Sequence, residues 1–320
     1  VVTDADRATR ADMIEQLKRR VHQVTLDNGL RIVCVPANNT NVVTVGAFVE
    51  VGGAQKGGLA HIVEHMFFRS KGEQYLSDLS SRFGLQIGAH INAFTMFDRT
   101  SYFFNSDNKN WHVFADFVAD GLQRLPINDE QLYTELSVVM MELKARGADI
   151  NSSGFDLFLP ANHPYVHPII GYKEDVAQYS LKDVTDFYER YYTPDRITFF
   201  VCGAVEPEEC FAYVREKLSN FSRQNFNAVP SGELPFYGGY SSTQKTTYHT
   251  EAYKLLAYSW LAPAQAAKEC AALNPIAVVL SRRLSRKLVD ERGCCLGAGA
   301  GLLPFRDASL FMVQVVPKPD

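Results

Sequence analysis

The chain has 320 residues, which is enough for two domains. Its formal net charge of −4 and its isoelectric point near 6.1 give no electrostatic reason to expect nucleic acid or an anionic membrane as a partner. No apolar run approaches the roughly 20 residues that a membrane span needs. The charged first residues are unlike a secretory signal peptide, and removal of a signal or transit peptide ahead of Val1 is left open.

The six cysteines show no C-x-x-C spacing; they are Cys34, Cys202, Cys210, Cys270, Cys294 and Cys295. The adjacent Cys294 and Cys295 make a poor disulfide pair, and the others lie inside apolar runs typical of strands or helices. We therefore expect reduced and buried thiols rather than a disulfide framework. This favours a soluble protein of a reducing compartment or an organelle, while the compartment itself stays unknown.

The first clear elements are strands. Residues 22–26 and 30–35 are predicted to form a hairpin about Asp27-Asn28-Gly29, a sequence typical of tight turns. Residues 42–51 are β-rich and nearly all apolar, which predicts a central strand covered on both faces. Two glycines end this strand, and a helix follows.

That helix contains His61, Glu64 and His65 in the order H-x-x-E-H, the reverse of the H-E-x-x-H zinc motif. On an α-helix the two histidines lie about 40° apart around the axis, and Glu64 lies about 60° to the other side of His61. The neighbouring residues are apolar, so these polar groups should be buried, which is costly unless a partner such as a divalent metal is present. About one chain in a hundred of this length contains such a window by chance, so the motif alone leaves a metal site and a satisfied buried cluster both open.

Two glutamates lie on a later helix, predicted at 129–146 behind an aspartate cap. Glu135 and Glu142 are seven residues apart, hence about 20° apart around the helix and two turns apart along it. They are either two solvated surface glutamates or a third metal ligand and its supporting residue. The motif on the earlier helix favours the second interpretation.

The rest of the chain alternates predicted strands and helices. Strands are expected at 85–95, 100–105, 197–203, 254–261, 295–301 and 309–317, and helices at 111–125, 180–192, 206–218 and 264–288. Between 219 and 246 the composition shifts to Asn, Ser, Gly, Pro and Tyr without periodicity. This predicts a linker, which we place at 225–244.

These features together resemble the pitrilysin family of zinc peptidases, the inverzincins that include insulin-degrading enzyme and mitochondrial processing peptidase. The resemblance covers residues 21 to about 316. The family's third zinc ligand follows its second histidine after 76 residues, and 76 residues separate His65 from Glu142 here. The family also has a supporting glutamate seven residues before that ligand, which corresponds to Glu135. The resemblance implies that His61, His65 and Glu142 bind one Zn²⁺.

Other segments match the family independently of the metal ligands. They are Asn92-Ala93-Phe94-Thr95, His163-Pro164-Tyr165 and Tyr192-Thr193-Pro194-Asp195. The fold implied is α+β, with two related units, each a mostly antiparallel sheet with helices packed on one side. The resemblance implies a metal-bearing catalytic domain at 1–224, the linker at 225–244 and an incomplete second homologous domain at 245–320.

Two features depart from the family pattern. The loop between Val51 and His61 is shorter than usual and lacks a G-S-x-x-E sequence. Catalytically complete relatives carry an arginine and a tyrosine seven residues apart in a segment corresponding to 288–296, where this chain has Val289 and Leu296. The chain therefore resembles the metal-bearing half alone. The implied partner is a second homologous half or subunit that supplies the Arg/Tyr pair.

The function implied is that of a zinc-dependent endopeptidase, or its catalytic half, acting on extended peptides or presequences. Glu64 would be the general base on zinc-bound water, and Glu135 would orient a ligand histidine. Asn92 and Ala93 would pair with the peptide substrate on an edge strand. Phe68 either lines a side-chain pocket or packs in the core.

Two other functions are weighed against this one. A non-catalytic peptide-binding or scaffold subunit of a two-part peptidase is known in the family, but such subunits usually lose the H-x-x-E-H residues, which this chain keeps. A structural zinc domain would use four protein ligands, usually including cysteine. No cysteine lies in the two predicted metal-bearing helices, which argues against a structural site.

Overall fold

A computed structural model gives the fold of the chain. It describes residues 12, 15, 18–37, 39–55, 57–69, 90–146, 155–223, 244–249 and 254–318. The linker predicted at 225–244 lies outside the described residues, apart from Gln244. None of the described helices is both long enough and apolar enough to cross a membrane.

The chain divides into two compact units, each assembled from separated stretches of sequence. The first comprises Val1–Gly52, Ala60–Glu135 and Tyr179–Phe226, and the second comprises Gly53–Leu59, Leu136–Gln178 and Asn227–Asp320. The boundary falls inside one continuous helix, Asp129–Arg146. Because these units do not follow chain order, the division into 1–224, 225–244 and 245–320 stays a prediction.

A six-stranded sheet forms the first unit, in the order β1-β2-β6-β3-β5-β4 among the described residues. Its strands are β1 (His22–Thr25), β2 (Arg31–Pro36), β3 (Val42–Val49), β4 (His90–Thr95), β5 (Thr100–Asp107) and β6 (Ile197–Gly203). Strands β2 and β6 are parallel, and the other neighbours are antiparallel. The predicted hairpin is the antiparallel pair β1 and β2, and the predicted central strand is β3, which lies between β5 and β6.

Besides helical residues at 12, 15 and 18–19, seven α-helices lie in the described part of the chain. They are α1 (Leu59–Arg69), α2 (Trp111–Gln123), α3 (Asp129–Arg146), α4 (Lys173–Val176), α5 (Leu181–Tyr191), α6 (Pro207–Leu218) and α7 (Lys268–Leu284). A π-helical segment, Ser285–Glu291, follows α7. The helix predicted at 264–288 is therefore α7 followed by part of this segment.

Helix α1 is held against the sheet by its apolar face. The Phe67 ring stacks on Tyr102 of β5 with ring centroids 3.8 Å apart, and both side chains are fully buried. Helix α2 packs against the same Phe67 ring: Gly121 lies so close to the ring that a Cβ at this position would overlap it. Strand β3 lines this core with Val45 and Ala47, which are also fully buried. Close packing on three sides fixes where the opposite face of α1 lies.

The second unit contains a four-stranded antiparallel sheet in the order β7-β8-β10-β9, among the residues described. Its strands are β7 (Gln244–His249), β8 (Lys254–Ala262), β9 (Cys295–Pro304) and β10 (Ser309–Pro317). The series β8-α7-β9-β10 repeats the series β3-α1-β4-β5, and in both sheets the third strand of the series lies between the first and the second. The expectation of two related α+β units with mostly antiparallel sheets is confirmed.

The cysteines are all free thiols, but they are not all buried as expected. Cys34, Cys210, Cys270 and Cys295 are buried, whereas Cys202 is half-buried and Cys294 is exposed. The expectation of burial fails at Cys294 because this residue precedes strand β9 rather than lying inside it.

Candidate metal centre

Helix α1 divides into a buried apolar side and a half-buried polar side. Ile62, Val63, Met66 and Phe67 are fully buried. Glu64 and His65 are half-buried, and the rings of His61 and His65 lie 4.7 Å apart between centroids. The apolar face packs against the sheet, so the motif residues project together from the other side, as the helical spacing predicts.

Three ligand atoms converge here. His61, His65 and Glu142 each offer one ligand atom, and these atoms lie within 4.8 Å of one another. Ligands at about 2.0–2.1 Å from a tetrahedral zinc ion are roughly 3.3 Å apart, so this donor set needs only small side-chain adjustments to fit. Two imidazoles and a carboxylate are also the donor types that zinc accepts in catalytic sites. The residues present fit a zinc ion.

Glu135 lies two turns before Glu142 on α3 and supports one of the histidines. Its side chain is only 4% exposed, so it is not a solvated surface glutamate. One carboxylate oxygen lies 2.9 Å from Nδ1 of His65, and the other accepts a hydrogen bond from Nε of Arg69. Burial raises the pKa of the Glu135 carboxyl, but the hydrogen bonds from His65 and Arg69 outweigh it, so the pKa lies below its ordinary value.

This contact also sets the tautomer of His65. An ionised carboxylate only accepts hydrogen bonds, so Nδ1 of His65 carries the proton that Glu135 accepts. In a neutral imidazole the lone pair then lies on Nε2, the arrangement typical of metal-binding histidines. Arg69 was not predicted as a site residue. Its signal in the sequence was its position one turn after His65, on the same face of the helix.

Glu64, the predicted general base, is held by strand β4. Oγ1 of Thr95 donates a hydrogen bond to Oε2 of Glu64 at 2.5 Å. Thr95 is the last residue of β4, and it belongs to the N-A-x-T segment noted in the sequence. The sequence did not indicate this contact, because it joins residues from separate elements.

Asn92 and Ala93 lie on β4, which is the edge strand of the described sheet. Asn92 is exposed, and its Oδ1 accepts a hydrogen bond from the backbone N–H of Ala93 at 2.8 Å. Both residues line a cleft of about 390 Å³. Its other lining residues are Glu64, His65, Phe68, Arg69, Ile91 and Glu135. The cleft therefore joins the edge strand to the polar side of α1.

Phe68 belongs both to this cleft and to an aromatic cluster. Its ring lies 6.1 Å from that of Tyr102 and 6.2 Å from that of Phe117, between centroids. It is half-buried rather than enclosed. The two interpretations offered for Phe68 from the sequence are thus compatible with one position.

The other matching segments serve the fold. The hydroxyls of Tyr192 and Tyr102 lie 2.6 Å apart in the core of the first unit. In the second unit, Nδ1 of His163 accepts a hydrogen bond from the backbone N–H of Tyr165 at 3.0 Å. Val289, at the family's arginine position, lies in the π-helical segment, and Leu296, at its tyrosine position, is 58% exposed on β9.

Comparison with known proteins identifies matches over most of the chain. The family model described as "Insulinase (Peptidase family M16)" matches residues 31–156, and the one described as "Peptidase M16 inactive domain" matches residues 178–320. The zinc protease PqqE of Helicobacter pylori is 27% identical over 306 residues, 90% of this chain and 68% of that protein. An uncharacterised zinc protease of Mycobacterium leprae is 29% identical over 316 residues, 93% of this chain and 69% of that protein.

Solved structures agree on the fold. The crystal structure of a protease from Helicobacter pylori superposes with a TM-score of 0.83 at 24% identity, and the match covers 94% of this chain and 75% of that one. At this identity the likeness establishes the fold alone. The α+β architecture inferred from the sequence is therefore confirmed.

Proposed function

We propose a function from one premise: the chain belongs to peptidase family M16, the pitrilysin family. The proposed function is that of a zinc-dependent endopeptidase, or of its metal-binding half, that hydrolyses extended peptides. The observation that carries the proposal is the convergence of the ligand atoms of His61, His65 and Glu142 within 4.8 Å, beside Glu64. In this proposal residues 1–224 are the metal-bearing domain, joined through 225–244 to a second homologous domain at 245–320.

His61, His65 and Glu142 would hold the zinc ion. When bound, zinc would supply Lewis acidity, which makes an attacking water more acidic and polarises a peptide carbonyl. The Glu64 carboxylate would accept the proton of the attacking water and then deliver it to the leaving amine nitrogen. Glu64 suits both steps because it lies one residue before His65, on the polar side of the same helix.

Two further residues would position these groups. The hydroxyl of Thr95 donates to one oxygen of Glu64, which orients the carboxylate for the proton transfer. Arg69 and Glu135 form a chain that ends on Nδ1 of His65 and holds the imidazole in one orientation. Such supporting contacts are typically worth about 10–100-fold in metal affinity or activity.

The substrate would bind as an added strand along β4. The edge position of this strand and the cleft that it shares with α1 support binding of an extended peptide by backbone hydrogen bonds. Because the Ala93 N–H already donates to the Asn92 side chain, that side chain would have to turn away or add its own contact to the peptide. This mode of binding favours unfolded segments over folded proteins, since only an extended chain can pair with the edge strand β4.

A non-catalytic scaffold subunit is the second candidate. The match of residues 178–320 to a model described as an inactive domain, and the absence of an arginine at Val289 and of a tyrosine at Leu296, favour it. On this alternative the chain would bind peptides or a homologous partner without chemistry. The complete H-x-x-E-H motif supports the peptidase instead.

The test combines zinc content with cleavage of an unstructured fluorogenic peptide, for the unmutated chain and for Glu64→Gln. About one zinc per chain in both, with cleavage only by the unmutated chain, is the result expected of a self-sufficient peptidase. Zinc in both without cleavage in either would support a metal-binding half that needs an Arg/Tyr partner. Absence of zinc from both would contradict the proposed metal centre and leave the scaffold function.

A further inference from the structure

Two adjacent thiols meet at the start of strand β9. Sγ of Cys294 lies 3.7 Å from Sγ of Cys295, and Cys294 is exposed whereas Cys295 is 5% exposed. In a regular strand, neighbouring side chains point to opposite faces of the sheet, which keeps them apart. The convergence of these two thiols therefore needs a local irregularity in the backbone.

The structure contains that irregularity. Gly293, just before the pair, has a φ of +62°, a left-handed conformation that a residue with a side chain rarely adopts. The pairing of β9 with β10 shifts register at the same place: Val316 pairs with Gly297 and Pro317 pairs with Cys295, so Leu296 is the extra residue of a bulge on β9. The turn before Cys294 and the bulge after Cys295 thus lie on the same segment, and together they bring both sulfurs to one side.

The backbone of Cys294 is anchored at both of its polar groups. Its N–H donates to the carbonyl oxygen of Leu288 at 3.1 Å, and its carbonyl oxygen accepts from the N–H of Lys318 at 3.0 Å. The Cys294 thiol also points at the Leu288 carbonyl, at 3.5 Å. These bonds hold the turn in place, so the two thiols are preorganised, which lowers the entropy cost of binding a ligand between them.

A disulfide is a poor use of this pair. Consecutive Cα atoms are about 3.8 Å apart across a trans peptide, whereas disulfides join Cα atoms about 4.4–6.8 Å apart. Sulfur–metal bonds impose a different spacing. Two thiolates bound to a tetrahedral zinc ion at about 2.3 Å lie roughly 3.8 Å apart, close to the 3.7 Å that separates the two sulfurs.

We propose that Cys294 and Cys295 form a two-thiolate clamp for a thiophilic divalent cation of the Zn²⁺ or Cd²⁺ class. Binding replaces two S–H bonds with two sulfur–metal bonds and releases two protons to the solvent, so no oxidant or reductant is needed. Solvent molecules complete the coordination on the exposed side of Cys294. The clamp contains sulfur only, in contrast to the histidine and glutamate ligands of the candidate metal centre, and the proposal does not rest on the proposed function.

Lys318 is the positive group that favours thiolates at the clamp, and it acts against burial and the Cys294 thiol, which together raise the pKa of Cys295. The ammonium group of Lys318 reaches the turn, since a Cβ on Gly293 would lie 3.9 Å from its Nζ. The carboxylate of Glu291 is paired with Lys287 at 2.8 Å and with Arg286 at 3.4 Å. A positive group next to the sulfurs offsets the charge that they gain on deprotonation.

Cadmium titration of the full chain tests the clamp. The protein is stripped of metal with a chelator, freed of thiol reductant and titrated with Cd²⁺, and the near-ultraviolet sulfur-to-cadmium charge-transfer absorption is followed. We expect the absorption to saturate at one sulfur-bound Cd²⁺ per chain. Cadmium held by histidine and glutamate gives no such band, so failure of the candidate metal centre and failure of the clamp are distinguishable.

Single substitutions assign the band. Cys294→Ser changes an exposed residue and should abolish the absorption, whereas the control Cys202→Ser, at a half-buried thiol on β6, should leave it unchanged. Saturating Cd²⁺ should also slow alkylation of Cys294 by iodoacetamide, measured on the peptide by mass spectrometry. Absence of the band from the unmutated chain, its persistence in Cys294→Ser, or alkylation at an unchanged rate would each overturn the proposal.

Discussion

Replacement of Glu135 by glutamine tests whether the buried carboxylate supports the metal centre. The substitution keeps the side chain's shape and one hydrogen-bond acceptor for Nδ1 of His65, but it removes the charge that pairs with Arg69. Loss of such a supporting contact typically weakens metal binding by about 10–100-fold, which corresponds to about 1.4–2.7 kcal/mol. We expect the zinc dissociation constant of Glu135→Gln to rise by that factor.

The measurement is competition for zinc with a chromophoric chelator, with circular dichroism to show that the variant is folded. Two further variants separate the causes. Arg69→Met leaves the bond between Glu135 and His65 in place, so its effect should be smaller than that of Glu135→Gln. Glu130→Gln makes the same chemical change at an exposed position of the same helix and should leave zinc affinity unchanged. Equal affinity in Glu135→Gln and Glu130→Gln would refute the supporting role of Glu135.

Three other predictions follow from the described contacts. Thr95→Val should lower kcat for peptide cleavage by about tenfold or more with little change in KM, because a hydrogen bond to a charged group is worth about 1.5–3 kcal/mol. Thr95→Ser keeps the hydroxyl and should retain the unmutated kcat. Equal rates in the Val and Ser variants would contradict this prediction. Zinc at 100 times its dissociation constant should stabilise the chain by about 2.7 kcal/mol in urea unfolding, and His61→Ala should abolish the gain; the same gain in His61→Ala would place the zinc elsewhere. Tyr102→Phe should lower the free energy of unfolding by about 1–3 kcal/mol, since it deprives the buried Tyr192 hydroxyl of a hydrogen-bond partner. Tyr133→Phe, at a side chain that is 76% exposed, should cause no measurable loss of stability. Equal losses of stability in the two variants would refute this prediction.

Local periodicity carried most of the predictions that the structure confirms. The spacing of His61 and His65 indicated their shared face, and the seven-residue spacing on α3 indicated that Glu135 and Glu142 share another. Such patterns depend only on helix geometry, which the sequence determines within a few residues. The length of α3, Asp129–Arg146, agrees with its predicted bounds for the same reason.

Contacts between elements could not be predicted in the same way. The hydrogen bond from Thr95 to Glu64 joins the end of β4 to α1, and the ion pair of Arg69 with Glu135 joins α1 to α3. Each depends on how far two elements are offset along one another, which is decided by core packing rather than by either segment. The exposure of Cys294 was missed because the residue lies in the turn at Gly293, just before β9, and the first residue of that strand is set by its pairing with β10.

The positions of His61, Glu64 and His65 are set by packing on the opposite, apolar side of helix α1. Phe67 is wedged between Tyr102 on the sheet and Gly121 on α2, where even a methyl group has no room. Because that side of α1 is close-packed, a displacement of the helix would have to move the sheet or α2 as well. The polar side of α1 carries the motif residues, whose side chains can turn about their own bonds while the backbone stays still. A metal centre requires a rigid helix with adjustable polar side chains, since the ligand atoms must move to bonding distance of the ion while the backbone stays in place.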